Sequence, residues 1–325
     1  MMVTFLLRRT GQAFVTLVVV SIIIFFGVFA LGNPVYVLVD PNAPADVVEE
    51  TIRRLGLDRP LYEQYWIFVW NALQGDLGTS YAHAQPSLAL IASRLTATFE
   101  LVLAALLLAI AVGLPLGLLA GYGKSGWTAR LLSSASILGI SVPTFWLGLL
   151  MIIVFSLELD WLPTGGRGET VSILGVETSL LTLDGLSHLI LPATTLSLFP
   201  LALIIRLTRA GVREHIQMDY VRFARAMGIH PAKLLFAYVL RNVLIPIVTM
   251  IGLVFGTLIA FAVVTETVFA WPGIGKLLID SIKISDRPVI IAYLLFVVVL
   301  FLAINLIVDI VNAMLDPRIR LHQET

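Results

Sequence analysis

Residues 97–121 read ATFELVLAALLLAIAVGLPLGLLAG, an apolar run whose single charged side chain is Glu100. About 20 mainly apolar residues in a helix are enough to cross the hydrocarbon core of a bilayer. The run therefore predicts a transmembrane helix.

Five other runs have the same character, and the chain as a whole agrees with them. Hydrophobic residues make up 58% of the 325 residues and charged residues 13%, whereas soluble domains carry roughly 25% charged residues. A soluble fold of this size could not bury so much apolar surface. We therefore expect an all-α polytopic membrane protein with six transmembrane helices, near 10–32, 97–121, 131–157, 188–209, 243–265 and 289–312.

The first run could instead be a cleaved signal peptide, because Arg8 and Arg9 precede it. Its apolar stretch is longer than the 7–15 residues of a signal core. We therefore favour a retained helix.

The basic residues predict the orientation. With the N-terminus inside, 13 of the 21 Lys and Arg residues fall in cytoplasmic segments, as the positive-inside rule requires. An even number of spans then places both termini in the cytoplasm.

This orientation divides the chain into three parts. Residues 1–32 form the N-terminal tail and first span, and residues 33–95 form an external loop with short helices, including an amphipathic one at 45–55. Residues 96–320 form a core of five spans that contains a cytoplasmic loop at 212–242.

The cytoplasmic loop carries a helix–turn–helix pattern. Tyr220, Phe223, Ala224 and Met227 recur at spacings of three and four and predict one apolar face. Gly228 then ends the helix, and a second helix begins at His230-Pro231. Two interpretations fit this pattern: a hairpin resting on anionic lipid, or a knob that docks into a cytoplasmic partner, with the glycine permitting close backbone approach.

The same loop resembles the signature, often called the EAA loop, of binding-protein-dependent ABC importer permeases. It is most similar to the dipeptide/oligopeptide branch, first permease subunit type, whose usual form is Asp-Tyr-Val-Arg-Thr-Ala-Arg-Ala-Lys-Gly. This chain has Phe223 where Thr is usual and Met227 where Lys is usual. The matching positions are Asp219, Tyr220, Val221, Arg222, Ala224, Arg225, Ala226 and Gly228.

The resemblance extends over nearly the whole chain, through short motifs that are weak singly and strong in their order and spacing. Departures are Thr96 where Pro is common, Asn33-Pro34 where Gly-Asp-Pro is typical, and Arg287 where an aromatic residue is common. The motifs include 56–61, 75–78, Ser141-Val142-Pro143, Leu191-Pro192, 206–209, 240–242, Trp271-Pro272-Gly273, Asn305, Asp309 and 316–318.

The resemblance implies a MetI-like permease core in the bacterial inner membrane. It implies a second homologous permease subunit, two ABC ATPase subunits that bind ATP and Mg, and an external substrate-binding protein. The chain itself lacks the P-loop pattern, so we expect a non-catalytic subunit with no cofactor of its own. The resemblance assigns ATPase coupling to the loop helix, at Asp219, Tyr220, Arg222, Ala224, Arg225, Ala226 and Gly228.

Charged groups within spans are costly to insert, which singles out Glu100 and Glu266 near the external ends of their spans. They could line an external gate, together with Trp271, or form structural hydrogen bonds. Trp271 could equally be an interfacial anchor.

Other functions are less consistent with the sequence. There is no cysteine, and the five histidines lack a metal-ligand spacing. A net charge of zero argues against nucleic acid as a partner. We expect membrane lipid to surround the spans. An ion-coupled secondary transporter would need acidic residues at mid-bilayer, and a membrane-embedded hydrolase would need a catalytic cluster. The solute stays open among dipeptides, oligopeptides, glutathione and nickel complexes, and peptide is preferred.

Overall fold

The computed structural model describes residues 2–29, 35, 39, 43–54, 56–123, 127, 139 and 142–315, with side chains between Arg9 and Ile310. The regular secondary structure of the described residues is helical apart from an isolated bridge between Thr79 and Pro86 and one small hairpin, β1 (Val171–Ile173) antiparallel to β2 (Val176–Thr178). The helices are α1 (Met2–Phe29), α2 (Ala45–Arg54), α3 (Leu61–Leu73), α4 (Ser87–Tyr122), α5 (Thr144–Glu158), α6 (Leu183–Ile216), α7 (Asp219–Ala226), α8 (Pro231–Val268), α9 (Ile274–Lys283) and α10 (Arg287–Leu315).

Within the described residues, five helices are long and apolar enough to cross a membrane: α1, α4, α6, α8 and α10. They confirm the first, second, fourth, fifth and sixth predicted spans. Pro115, Pro192, Pro200 and Pro246 lie inside these helices without ending them. Neighbouring helices in a bundle compensate for the backbone bonds that proline removes.

The third predicted span, 131–157, differs from the structure. Its described part is the short apolar helix α5, Thr144–Glu158, whose second half, Ile152–Glu158, is π-helical. Residues 131–138, 140 and 141 of the prediction lie outside the described residues.

The chain forms two compact units. The first contains Met1–Thr96 and Pro272–Ala303. Its core joins Phe25 and Val28 of α1 to Ile290, Ile291 and Leu295 of α10. The amphipathic helix predicted at 45–55 is confirmed as α2.

The second unit contains Ala97–Trp271 and Ile304–Thr325. In it, α4 and α6 touch along a seam of glycines spaced four residues apart. A Cβ atom added to Gly117 would lie 2.5 Å from Thr208 Cβ, and one added to Gly121 would lie 2.7 Å from Val212 Cβ. Glycine therefore lets these two backbones approach more closely than any other residue would allow.

The helices beside the predicted cytoplasmic loop are longer than expected. α6 continues to Ile216, and the helix that begins at Pro231 runs without interruption into the fifth span through a π-helical segment, Leu234–Val239. The non-helical part of the predicted 212–242 loop is therefore short, and α7 lies within it. Periodicity did not reveal this continuity because Arg and His residues interrupt the apolar pattern where the helices leave the spans.

Candidate functional site

The segment between α6 and α8 folds into a hairpin, residues 217–230, that we call the inner hairpin. The backbone N–H groups of Val221 and Arg222 donate to Met218 O and start α7. At its other end, Ile229 N–H donates to Ala224 O over 3.2 Å, and Gly228 adopts a positive φ of 77°. This left-handed cap turns the chain toward Pro231, as the Gly and Pro signals predicted.

One face of α7 is buried against the two long helices. Val221 is 0% exposed and Ala224 is 3% exposed. They pack in a cluster with Val212 of α6 and with Leu234 and Val243 of α8. Burial of these apolar groups fixes the hairpin on both helices.

The opposite face of α7 is apolar but exposed. Phe223 is 69% exposed and Met227 is 68% exposed. The predicted apolar face therefore needs correction, because Ala224 lies on the buried face beside Val221 and not beside Phe223. The pattern contained two apolar faces, and the spacing rule merged them into one.

Tyr220 ties the hairpin to its neighbours through its hydroxyl group. That hydroxyl lies 3.0 Å from His215 Nδ1 on α6 and accepts a hydrogen bond of 3.3 Å from Asn242 Nδ2 on α8. Asn242 Nδ2 also donates to Tyr238 O over 2.8 Å. Polar as well as apolar contacts therefore connect α7 to both helices.

Charged and small groups surround the exposed face. Arg222 lies 3.6 Å from Asp219, and both side chains are largely exposed. Arg225 and Ala226 are exposed as well. Exposed ion pairs of this kind contribute little stability, so these charges are available to a partner surface.

Gly228 ends the helix as expected, and its approach to a partner stays a prediction. No heavy atom lies within 4 Å of a Cβ built on it, so the fold does not need glycine there for close packing within this chain. The positive φ is the reason for glycine, since a side chain in that conformation costs about 1–2 kcal/mol.

The second group of candidate residues lies in the same unit, where Glu100 forms a buried network. Its Oε2 accepts from Arg167 Nε at 3.0 Å, and Arg167 Nη2 lies 2.9 Å away. Ser179 donates its backbone N–H over 3.1 Å and its hydroxyl over 2.9 Å. Arg167 Nη2 also donates to Glu177 O over 2.7 Å. This carboxylate therefore holds the segment around β1 and β2 against α4.

Glu266 and Trp271 join the end of α8 to the same part of α4. Glu266 is fully buried and accepts a hydrogen bond of 2.6 Å from the Thr98 hydroxyl. Trp271 is 0% exposed and donates from its indole nitrogen to Ala97 O over 2.8 Å. The interfacial-anchor interpretation of Trp271 is wrong, because an anchor would face lipid.

Sequence reasoning missed Arg167 and Ser179. Each lies in a loop and far along the chain from Glu100, so no periodic signal joins them. The available signal was electrostatic: a carboxylate within a span needs donors, and Arg167 is the only Lys or Arg in the loop between the third and fourth predicted spans.

The described side chains between Arg9 and Ile310 include no group of three or more His, Cys, Asp or Glu residues that could hold a metal ion. The arrangement instead offers an exposed apolar contact surface on the inner hairpin and a buried polar clamp around Glu100.

Models of known protein families match most of the chain. Residues 113–321 match the model of the binding-protein-dependent transport system inner membrane component. Residues 2–102 match the model of the N-terminal part of the corresponding membrane component.

Individual proteins are similar over nearly their full length. The chain is 39% identical over 320 residues to the glutathione transport system permease protein GsiC of Escherichia coli strain K12, covering 98% of this chain and 99% of that protein. It is 40% identical over 340 residues to the di/tripeptide transport system permease protein DppB of Pseudomonas aeruginosa, covering 99% and 100%.

A solved structure of the MetNI methionine ABC transporter, in an inward-facing conformation, has a similar fold. Its TM-score is 0.57 at 18% identity, covering 70% of this chain and 97% of that one. This likeness supports the predicted MetI-like permease core.

Proposed function

Because the chain belongs to the family of binding-protein-dependent transport system inner membrane components, we propose that its inner hairpin is the surface through which ATPase subunits drive it. The chain is a multi-pass permease subunit of an ABC importer in the bacterial inner membrane. Membership in a family of transport-system components favours this function over an ion-coupled secondary transporter or a membrane-embedded hydrolase.

The proposed coupling rests on one observation, the two-sided structure of α7. Val221 and Ala224 bind the helix to α6 and α8, while Phe223 and Met227 stay exposed on the other side. An exposed aromatic and a flexible thioether are typical of helix-in-groove contacts. When the ATPases close, α7 moves with them, and the motion passes through α8 and Pro246 into the span.

We place the inner hairpin, and with it both termini, in the cytoplasm. The excess of Arg and Lys in these segments supports this orientation. The assembly we propose contains this chain, a related second permease, two ATPases that hydrolyse ATP, and an external binding protein. Glu100, Glu266 and Trp271 remain a predicted external gate, which would have to release the hydrogen bonds described above in order to open.

The solute we propose is a small peptide. Proteins about 40% identical to this one are named for glutathione and for di- and tripeptides, and glutathione is itself a tripeptide. Nickel complexes remain the alternative. Calorimetric titration of the external binding protein with dipeptides, tripeptides, glutathione and nickel distinguishes them, since tight binding of nickel alone would contradict the peptide assignment.

The coupling proposal is tested with Phe223→Ser in the assembled transporter. Loss of the aromatic contact should lower uptake and solute-stimulated ATP hydrolysis at least tenfold without changing the melting temperature, because Phe223 is exposed. Leu174→Ser, at the fully exposed turn between β1 and β2, is the matched control. Unchanged coupling in the Phe223 variant would refute the docking surface.

The orientation of the chain in the membrane is tested by cysteine labelling. Because the native chain has no cysteine, only an introduced cysteine can react. A cysteine at Ala226 should crosslink to an ATPase subunit, whereas one at Gln74 should react with an impermeant reagent from outside. The opposite pattern would overturn the proposed orientation.

A further inference from the structure

A cavity of about 390 Å³ lies in the first unit and shares no residue with the inner hairpin or the Glu100 network. Its walls come from α1, α2 and α3, the turns that follow α2 and α3, and the beginning of α10. No property of the coupling mechanism requires it.

The polar wall of the cavity is strongly basic. Four arginines line it, Arg53, Arg54, Arg59 and Arg287, against the single carboxylate of Asp76. Four positive charges and one negative charge line the wall, and Glu49, which pairs with Arg53, lowers the formal excess from three to two. Arg53 is exposed and lies 3.3 Å from Glu49, whereas Arg287 is only 6% exposed. A wall of this kind attracts an anion.

The opposite wall is apolar. Phe25 of α1, Phe68 of α3 and Ile291 of α10 line it, and the Phe25 and Phe68 ring centroids lie 5.5 Å apart. A small hydrated anion would gain nothing from these side chains, whereas a ligand with a hydrocarbon part would bury it against them.

The cavity also lies at the depth of a membrane surface. Phe25 is in the last turn of the span Arg9–Val28, and Ile291 is in the second turn of the span Arg287–Ile310. On the face of α3 away from the cavity, Trp66 and Trp70 are each 67% exposed. Exposed Trp side chains beside apolar spans mark the headgroup level.

We propose that this cavity binds an anionic phospholipid. Its phosphate is held by the arginines, whose planar guanidinium groups pair with phosphate oxygens in bidentate geometry. The start of its acyl chain packs on Phe25 and Phe68. Basic pockets between spanning helices retain anionic headgroups on the cytoplasmic side of other membrane proteins. In the orientation proposed above, this cavity would offer the same chemistry at the external ends of its two spans.

The test measures lipid retention by the assembled transporter with native mass spectrometry, using dioleoylphosphatidylglycerol as the probe. Arg54→Gln and Arg59→Gln are suitable variants because both residues are exposed, and substitutions at exposed positions usually change stability little. Each should raise the apparent Kd for the lipid about tenfold, the effect of losing one charge-assisted hydrogen bond. Lys283→Gln removes an exposed positive charge of the same unit outside the cavity and should leave binding unchanged.

Separate competition experiments identify the source of the anion. Inorganic phosphate and glycerol 3-phosphate should fail to displace the lipid at concentrations far above its Kd. Displacement by either would show a site for free phosphate and overturn the lipid assignment. Equal retention of dioleoylphosphatidylethanolamine, or equal lipid binding by the arginine variants and the Lys283 control, would overturn it as well.

Discussion

Replacing Glu100 with glutamine removes the charge of a buried carboxylate while keeping its size. In the native chain this group faces Arg167 at 2.9 Å, and the two side chains are only 8% and 11% exposed. The variant leaves a guanidinium group buried without its counter-charge, so we expect it to destabilise the unit that contains both residues.

The magnitude follows from the burial of the pair. Removing one partner of a buried ion pair costs about 3–5 kcal/mol. Glutamine can still accept a hydrogen bond from Ser179, so we take the lower value, about 3 kcal/mol. In a domain of this size 1 kcal/mol corresponds to about 2–4 °C, which gives a fall in melting temperature of about 6–12 °C.

The assay is thermal unfolding of the assembled transporter, followed by tryptophan fluorescence. The matched control is Glu49→Gln, which breaks the pair of Glu49 and Arg53, whose side chains are 69% and 73% exposed. An exposed helical pair contributes about 0.3–0.5 kcal/mol, so the control should shift the melting temperature by about 1–2 °C. The double variant Glu100→Gln/Arg167→Gln should recover part of the loss. Equal shifts for Glu100→Gln and Glu49→Gln would refute the reasoning, because the expected difference depends on the burial of the Glu100 pair.

Two further predictions concern a backbone conformation and a titrating group. Gly228→Val should lower coupled ATP hydrolysis and uptake, because valine resists the positive φ. Gly228→Asn should retain most activity, since asparagine tolerates that conformation. Equal loss in both variants would contradict a conformational role. For Asp280, burial raises the pKa, but the hydrogen bond from Lys276 and the nearby positive charges outweigh it, so the pKa lies below its usual value. A lowered folded-state pKa stabilises the protein above the usual aspartate range of about 3.9, and this contribution disappears as the pH falls through the lowered value. Asp280→Asn should therefore flatten the acid side of a stability-against-pH curve, and an unchanged curve would count against the assignment.

Much of the fold could be predicted because lipid imposes a simple constraint. Five of the six spans follow from apolar length alone, and α2, α7 and the turn at Gly228 follow from periodicity and capping signals. The extension of α6 to Ile216 and the continuity of α8 through Leu234–Val239 could not be predicted. Both helices continue past the apolar region, where the only support is packing between helices that the sequence does not display.

The candidate site was predictable in its location and less so in its detail. The residues of α7 are adjacent in sequence, so a local pattern finds them, but the choice between Ala224 and Phe223 as the buried residue depends on the position of α6 and α8. The partners of Glu100 are 67 and 79 residues away. Only tertiary structure brings such distant groups together.

The seam between α4 and α6 limits how an importer of this construction can rearrange. The methyl groups of Thr208 and Val212 sit in notches that Gly117 and Gly121 leave open. Sliding one helix along the other would push these methyl groups onto the bulkier neighbours of the glycines. We therefore expect α4 and α6 to move together where this contact holds them.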